Sequence, residues 1–154
     1  GYLVDKLADQ PGHSVDLQCI AIEETLAEKI LSFLRRHAEH RSGNMPGDWD
    51  TALVRHIYDT YCIVQSDPTT LQKAKAHFSA LVAYDVKEFK RHEAFANKPK
   101  ACLLGALAAA ESEQQTRSEY VKRLMPLVYG STKPSFDVAF QAFKTCSHTL
   151  LDTL

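Results

Sequence analysis

A lysine in the segment Glu23–Arg36 has the chemistry to bind phosphate. The segment reads EETLAEKILSFLRR, and in a helix Lys29 would share one polar face with Thr25, Ser32 and Arg36. Two cations beside an apolar stripe can hold an anionic ligand, and a lysine ammonium is a compact charge that suits a phosphate group. The same pattern is also typical of an ordinary solvated helix face, so the spacing alone leaves both interpretations open.

An aspartate in the segment Val54–Ile63, which reads VRHIYDTYCI, is the second candidate. Arg55 and Asp59 are four residues apart, so they would share one face of a helix whose other positions are largely apolar. We expect Asp59 to be partly buried, where a carboxylate needs a partner. In a structural interpretation that partner is Arg55. In a functional interpretation Asp59 is a base, or it orients a ligand or Lys29.

Histidines and cysteines give weaker signals. His37 and His40 are three residues apart and could chelate a metal together with His56, but no further ligand pattern supports such a site. We therefore predict no metal site within these residues. The four cysteines form no CxxC pair, and we predict that they are reduced and mostly buried: Cys19, Cys62, Cys102 and Cys146.

The chain as a whole has no basic excess that would indicate nucleic-acid binding. Its 154 residues carry a formal net charge of −1, with a pI of about 6.7. A local patch would be needed, and one basic cluster is either a solvated face or a contact for an RNA backbone: Lys87, Lys90, Arg91 and His92. No apolar run approaches the ~20 residues of a membrane span, and no secretory signal is visible. These features predict a cytoplasmic protein with no membrane partner.

The apolar pattern predicts an all-α fold, a helical bundle of five or six helices. The first helix should run from Glu23 to about His40, on an apolar stripe made of Ile22, Leu26, Ile30, Phe33 and Leu34. A loop at Arg41–Asp48 should precede a second helix, capped by Asp48 or Asp50, that ends near Val64. Residues 1–10 read as the tail of a helix. Val15–Ile22 could be one short strand, which would pair with a sheet supplied from outside this chain.

The remaining helices follow from proline, glycine and serine signals. Asp67-Pro68 should open a third helix that runs to Phe95, and a short Ala-rich helix should follow from about Lys100 to Ala110. Ser112 should cap a helix over residues 112–129 that Pro126 distorts. Ser135 should cap the last helix, Phe136–Leu154, whose predicted core residues are Val138, Phe140, Phe143, Leu150 and Leu151.

The two candidate segments, taken in order, resemble a known signature. ETLAEK at residues 24–29, followed by RHIYDTY at residues 55–61, resembles the paired motifs of the AbiEii/AbiGii toxin nucleotidyltransferases. The later stretch SEYVKRLMPLVYG, followed by PSFD, is similar to the C-terminal region of that family. The resemblance extends from about Val15 to the end of the chain. One departure is His56, which stands where many members have aspartate.

The resemblance implies a DNA polymerase β-like nucleotidyltransferase whose N-terminal domain holds Mg²⁺ on a DxD pattern and positions a nucleoside triphosphate. The one DxD of this chain, Asp48-Trp49-Asp50, lies between the two motifs rather than ahead of them, and no Gly-Gly or Gly-Ser element precedes it. We therefore expect the Mg²⁺ and NTP of a full-length enzyme to depend on a missing N-terminal nucleotidyltransferase domain, and this fragment alone to be inactive. The first residue is Gly1 rather than Met. Residues 1–22 would be the end of the upstream domain or a linker, and residues 23–154 the C-terminal helical domain.

Site residues and partners are carried over from the same resemblance. Lys29 and Asp59 are predicted to be catalytic, with Lys29, Arg36 and Arg55 binding the nucleotide. The acceptor class that the family suggests is RNA, particularly tRNA, and a cognate antitoxin would be a separate protein. The alternative is a non-catalytic helical module that binds an antitoxin or a partner domain. The alternative predicts that Lys29 and Asp59 lie apart or are sealed inside the bundle.

Overall fold

The computed structural model describes residues 21–43, 51–128 and 133–154. Their helices are, in chain order, α1 (Ile22–Arg41), α2 (Val54–Ser66), α3 (Thr70–Glu88), α4 (Glu93–Asn97), α5 (Pro99–Ser112), α6 (Gln114–Glu119) and α7 (Phe136–Leu151). Between them lie 3₁₀ turns at Thr51–Leu53 and Met125–Leu127 and a π-helical turn at Tyr120–Leu124. No strand occurs in these ranges. The all-α prediction is therefore confirmed, although the described residues form seven helices rather than five or six.

Helix α1 is the centre of the bundle and packs against α2, α3, α5 and α7. The predicted apolar stripe supplies this contact, since Leu26, Ile30, Phe33 and Leu34 are fully buried. The ring of Phe33 meets that of Phe143 edge to face, with 4.9 Å between centroids, a geometry that adds to the stabilisation from burial. Ile22, the first residue of the stripe, is instead 51% exposed, so the stripe begins one turn later than we predicted.

Helices α1 and α3 run in the same direction. Glu24 on α1 lies 3.8 Å from His77 on α3, and further along both helices Arg35 contacts Asp85 at 3.1 Å. Because both pairs advance together along the chain, the two helices are parallel, and the chain crosses from one to the other through α2.

The predicted third helix is interrupted. Helix α3 ends at Glu88, a turn closed by the Phe89 carbonyl and the His92 N–H (3.1 Å) follows, and α4 begins at Glu93. In one straight helix, Phe89 and Phe95 would project in different directions because they are six residues apart. Both pack against the core, and Phe95 is fully buried. The prediction of one continuous helix to Phe95 was wrong because both rings must reach the same interior.

The predicted helix over residues 112–129 was also wrong in part. Ser112 is the last residue of α5 rather than a cap, and its hydroxyl donates back to the carbonyls of Ala108 and Ala109. Helix α6 starts at Gln114, after Glu113 adopts an extended backbone. Pro126 lacks the N–H that a regular helix would need. The chain accordingly passes through the π-helical turn into a 3₁₀ turn around this proline.

The last helix begins as predicted, because the Ser135 hydroxyl accepts a hydrogen bond from the Val138 N–H at 3.2 Å. Helix α7 ends at Leu151 rather than Leu154. Four of the five predicted core residues are buried, namely Phe140, Phe143, Leu150 and Leu151, whereas Val138 is 51% exposed. The first turn of α7 therefore carries Val138 on its outer side.

Some predictions fall outside the described residues. These are the helix tail at residues 1–10, most of the strand at Val15–Ile22, most of the loop before α2, the caps Asp48 and Asp50, and Cys19. Ile22 itself is helical. Cys62, Cys102 and Cys146 are free thiols, as predicted, and of these three Cys146 is buried while the other two are half-buried. No helix in the described ranges is long and apolar enough to cross a membrane.

Candidate functional site

Lys29 on α1 and Asp59 on α2 are in direct contact. The Lys29 Nζ donates to Asp59 Oδ2 at 2.9 Å, across thirty positions of sequence. Their side chains are 23% and 28% exposed, so the pair is neither sealed inside the bundle nor free in solvent. The two residues singled out from sequence are thus brought together at the rim of the α1–α2 contact.

Apolar packing of the two helices positions the pair. Lys29 precedes the buried Ile30 on α1, and Asp59 lies between the buried Ile57 and Thr60 on α2. With these neighbours fixed in the core, the two polar side chains are held at the edge where α1 and α2 meet. The ion pair is therefore set by helix packing rather than by the reach of two flexible side chains alone.

Two arginines flank the pair along its own helices. Arg36 is half-buried and follows Lys29 by two helical turns, so it lies near the same face of α1. Arg55 is exposed and precedes Asp59 by one turn on α2. No ion pair joins Arg55 and Asp59. Lys29, rather than the intrahelical arginine of the structural interpretation, is the partner of Asp59.

The described residues do not form a metal site. No cluster of three or more His, Cys, Asp or Glu side chains in residues 21–43, 51–128 and 133–154 could hold an ion. Asp59 in particular is occupied by the Lys29 ammonium. Clustered carboxylates are what Mg²⁺ needs, so this part of the chain does not fit that ion.

His37 belongs to a buried polar group rather than to a metal site. It is fully buried, and its ring stacks on Phe33 at 5.6 Å with an interplanar angle of 6°. Its Nε2 lies 3.2 Å from Glu113 Oε2, although neither ring nitrogen makes a hydrogen bond. Burial lowers the pKa of His37, an effect that the Glu113 carboxylate opposes and that Arg41 and His40 reinforce. Burial therefore favours the neutral imidazole.

Arg35 was not predicted as a site residue, yet it is a buried cation with several partners. It is 8% exposed, donates to Glu39 Oε1 at 2.6 Å and to Asp85 Oδ2 at 3.1 Å, and lies over the Phe89 ring at 3.5 Å. Burial raises the pKa of Asp85, while the Arg35 guanidinium opposes that change. A signal was present, because Arg35 follows the buried Leu34 directly and has Glu39 four residues later.

The basic cluster divides into exposed and buried members. Lys87, Lys90 and Arg91 are exposed, whereas His92 is 4% exposed. They line a cavity of about 560 Å³ together with Glu39, Glu88 and Phe89. A second cavity of about 800 Å³ lies between α2, α3 and α7. Neither cavity is lined by Lys29 or Asp59.

Residues 2–142, which are most of the chain, match the family described as nucleotidyl transferase AbiEii toxin, type IV TA system. The matched range includes both Lys29 and Asp59. No curated protein and no solved structure is significantly similar to the chain.

Proposed function

Because the chain belongs to the AbiEii nucleotidyl transferase toxin family of type IV toxin–antitoxin systems, we propose that Lys29 and Asp59 act in the transfer of a nucleotide from an NTP to an RNA acceptor. The observation that carries this proposal is the contact between Lys29 and Asp59 at 2.9 Å, on two different helices and open in part to solvent. A sealed pair, or two separated residues, would have favoured a non-catalytic module.

In this reaction a hydroxyl oxygen of the acceptor attacks the α-phosphorus of the NTP. A new P–O bond forms, the bond from the α-phosphorus to the bridging oxygen breaks, diphosphate leaves, and the hydroxyl proton passes to a base or to water. Negative charge builds on the phosphate oxygens, and a fixed cation stabilises it. Lys29 supplies that charge in our proposal.

Asp59 is a positioning residue in this scheme. A lysine side chain has several rotatable bonds, and holding its ammonium by one carboxylate oxygen removes much of that freedom before the substrate arrives. Asp59 Oδ2 does so at 2.9 Å, which leaves two N–H donors of Lys29 for phosphate oxygens. Arg36 and Arg55 lie on the flanking turns and are proposed to contact the outer phosphates.

The metal ligands must then come from elsewhere. Mg²⁺, when bound, would neutralise phosphate charge and act as a Lewis acid. Since the described residues do not offer a cluster for it, we propose that an additional N-terminal nucleotidyltransferase domain supplies the acidic ligands. On that proposal the present chain forms one wall of the cleft and is inactive by itself.

Membership of a type IV toxin–antitoxin family implies a cognate antitoxin partner. The alternative function, a helical module that only docks this antitoxin, would leave Lys29 and Asp59 with a structural role. The two functions differ in what substitution does. A structural pair affects folding, whereas a catalytic pair affects transfer while the fold and antitoxin binding are retained.

The test follows incorporation of labelled NTP into RNA by the full-length protein. Lys29→Ala should reduce incorporation by about 100-fold, the usual effect of removing one charge-stabilising group, and Asp59→Asn should reduce it less. Lys73→Ala, which removes an exposed lysine on α3, is the matched control and should retain activity. Undiminished incorporation by Lys29→Ala would contradict the proposal, as would an equal loss in the control.

A further inference from the structure

We propose that the cavity lined by Glu39 and residues 87–92, here called the basic pocket, binds the phosphate backbone of the acceptor RNA. This inference rests on the proposed function for its choice of ligand. It concerns a site separate from Lys29 and Asp59, formed where α3 ends and the chain turns into α4.

The charges around the basic pocket are unbalanced. Lys87, Lys90 and Arg91 are exposed and form no ion pair with any described residue. Glu39 is on the pocket wall, but its carboxylate is already held by Arg35 at 2.6 Å. Glu88 is the remaining acid of the lining. Three cations therefore face one acid that has no partner of its own.

The pocket also contains a buried polar group without a partner. His92 is 4% exposed, and its Nδ1 makes no hydrogen bond with the described residues. The desolvation of this nitrogen is not compensated by any described residue, and His92 lines the pocket. The His92 ring is fixed by stacking on Phe95 at 6.0 Å, and Phe89 is fixed beneath Arg35 at 3.5 Å. The packed rings thus form the base of the pocket, and the exposed cations lie at its rim.

A polyanion suits this arrangement better than a small apolar ligand. Cations alone give a sequence-independent attraction for a phosphate backbone, and they release counterions when they bind it. The cavity has a volume of about 560 Å³, which is enough for one or two phosphate groups with their sugars. Lys87 also suits the negative end of the α3 dipole, but Lys90 and Arg91 lie beyond that helix and gain nothing from it.

The basic pocket lies where a single RNA strand can reach both the pocket and the Lys29–Asp59 pair. Glu39 is ten residues after Lys29 on α1, which corresponds to an axial separation of about 15 Å. An acceptor whose reacting end lies near Lys29 can therefore place a more distant phosphate in the pocket. The pocket would raise affinity for the acceptor without touching the reacting atoms.

The experiment measures binding of a fluorescein-labelled single-stranded RNA by anisotropy, without NTP, at several KCl concentrations. The triple variant Lys87→Gln/Lys90→Gln/Arg91→Gln should weaken binding by at least about tenfold and reduce the salt slope by about 2, as expected for three lost phosphate contacts to single-stranded RNA. The matched control, Lys73→Gln/Lys75→Gln/Lys122→Gln, removes three exposed cations elsewhere and should weaken binding less than about threefold.

A variant that binds RNA more tightly is a further test, because misfolding can weaken binding but cannot tighten it. Glu88→Lys should tighten RNA binding and steepen the salt slope, whereas Asp152→Lys, the same charge change just after the end of α7, should do neither. The inference is overturned if both triple variants weaken binding equally, or if the pocket triple variant binds as the wild type does.

The same proteins separate this inference from the proposed function. RNA binding that depends on the pocket, in a full-length protein that incorporates no nucleotide, would remove the proposed function and leave the pocket standing. If transfer needs Lys29 but the pocket triple variant binds RNA as the wild type does, the proposed function stands and the pocket inference is removed.

Discussion

Arg35 on α1 donates through Nε to Asp85 Oδ2 on α3 at 3.1 Å, joining two parallel helices across fifty positions of sequence. The same guanidinium donates to Glu39 and covers the Phe89 ring, so one side chain fixes the contact between α1 and α3 and the end of α3. The Arg35 group is more deeply buried than the Lys29–Asp59 pair, whose side chains are 23% and 28% exposed.

Arg35→Ala should therefore destabilise the fold by about 3 kcal/mol, because it leaves Asp85 and Glu39 partly buried without their cation. The free energy of unfolding in urea measures this. The control is Arg117→Ala, which breaks an exposed pair with Asp137 that is shorter, at 2.7 Å. A loss in the control as large as in Arg35→Ala would mean that burial does not govern the energy of these pairs.

The Lys29–Asp59 pair should contribute little to stability despite its short distance. Both side chains are about a quarter exposed, and exposed ion pairs usually contribute about 0.5 kcal/mol. A double-mutant cycle of Lys29→Ala and Asp59→Ala, followed by urea unfolding, gives the coupling energy. A coupling above about 2 kcal/mol would place the pair among structural ion pairs and would weaken the catalytic proposal.

The hydroxyl group of Tyr120 should stabilise the fold. The ring is fully buried, and the hydroxyl donates to the Pro134 carbonyl at 2.9 Å. Burial is the main cause that raises the pKa of Tyr120, so the group remains a donor in the physiological range. Tyr120→Phe should cost about 1 to 2 kcal/mol because the carbonyl loses its partner. Tyr84→Phe, at a position that is 62% exposed, should unfold as the wild type does.

His37 should make the fold sensitive to acid. Its pKa is lowered in the folded chain, so below the ordinary value of about 6.5 the unfolded chain binds a proton that the folded chain does not. Stability is therefore present above this pH and falls as the pH drops, by up to about 1.4 kcal/mol per pH unit. His37→Phe should lose less stability than the wild type between pH 7 and pH 5.

For each protein, the urea midpoint at pH 5 is subtracted from the midpoint at pH 7. This difference isolates His37, because any effect of the substitution that does not depend on pH cancels. His148→Gln, on the exposed side of α7, is the control and should follow the wild type. An unchanged pH dependence in His37→Phe would contradict the prediction, because it would mean that the pKa of His37 is the same in the folded and unfolded chains.

Helices with a regular apolar periodicity were predictable from the sequence. The points where tertiary contacts interrupt a helix were not. The stripe Leu26–Leu34 identified α1, and the Ser135 cap identified the start of α7. The break at Phe89 depends on a guanidinium from α1 and on the burial of Phe95. Neither is visible in the local sequence, because local propensity does not report which side of a helix the rest of the chain will cover.

The contact between Lys29 and Asp59 was predictable for a different reason. Helical spacing placed Arg55 beside Asp59, yet the observed partner of Asp59 is Lys29, which lies on another helix. The pairing of Lys29 with Asp59 was expected from the family resemblance of the two segments, not from periodicity. Arg35 was missed because a cation beside an apolar stripe usually extends to solvent, whereas here α3 covers it with Asp85.

The parallel course of α1 and α3 has a consequence for how the chain folds. Two neighbouring parallel helices cannot form as a hairpin, and the Arg35–Asp85 contact closes a loop of fifty residues that contains α2. Closing that loop costs conformational entropy that local contacts do not offset. The transition state for folding must therefore already hold distant parts of the chain together. The bundle should consequently refold more slowly than an up-and-down helical bundle of the same length.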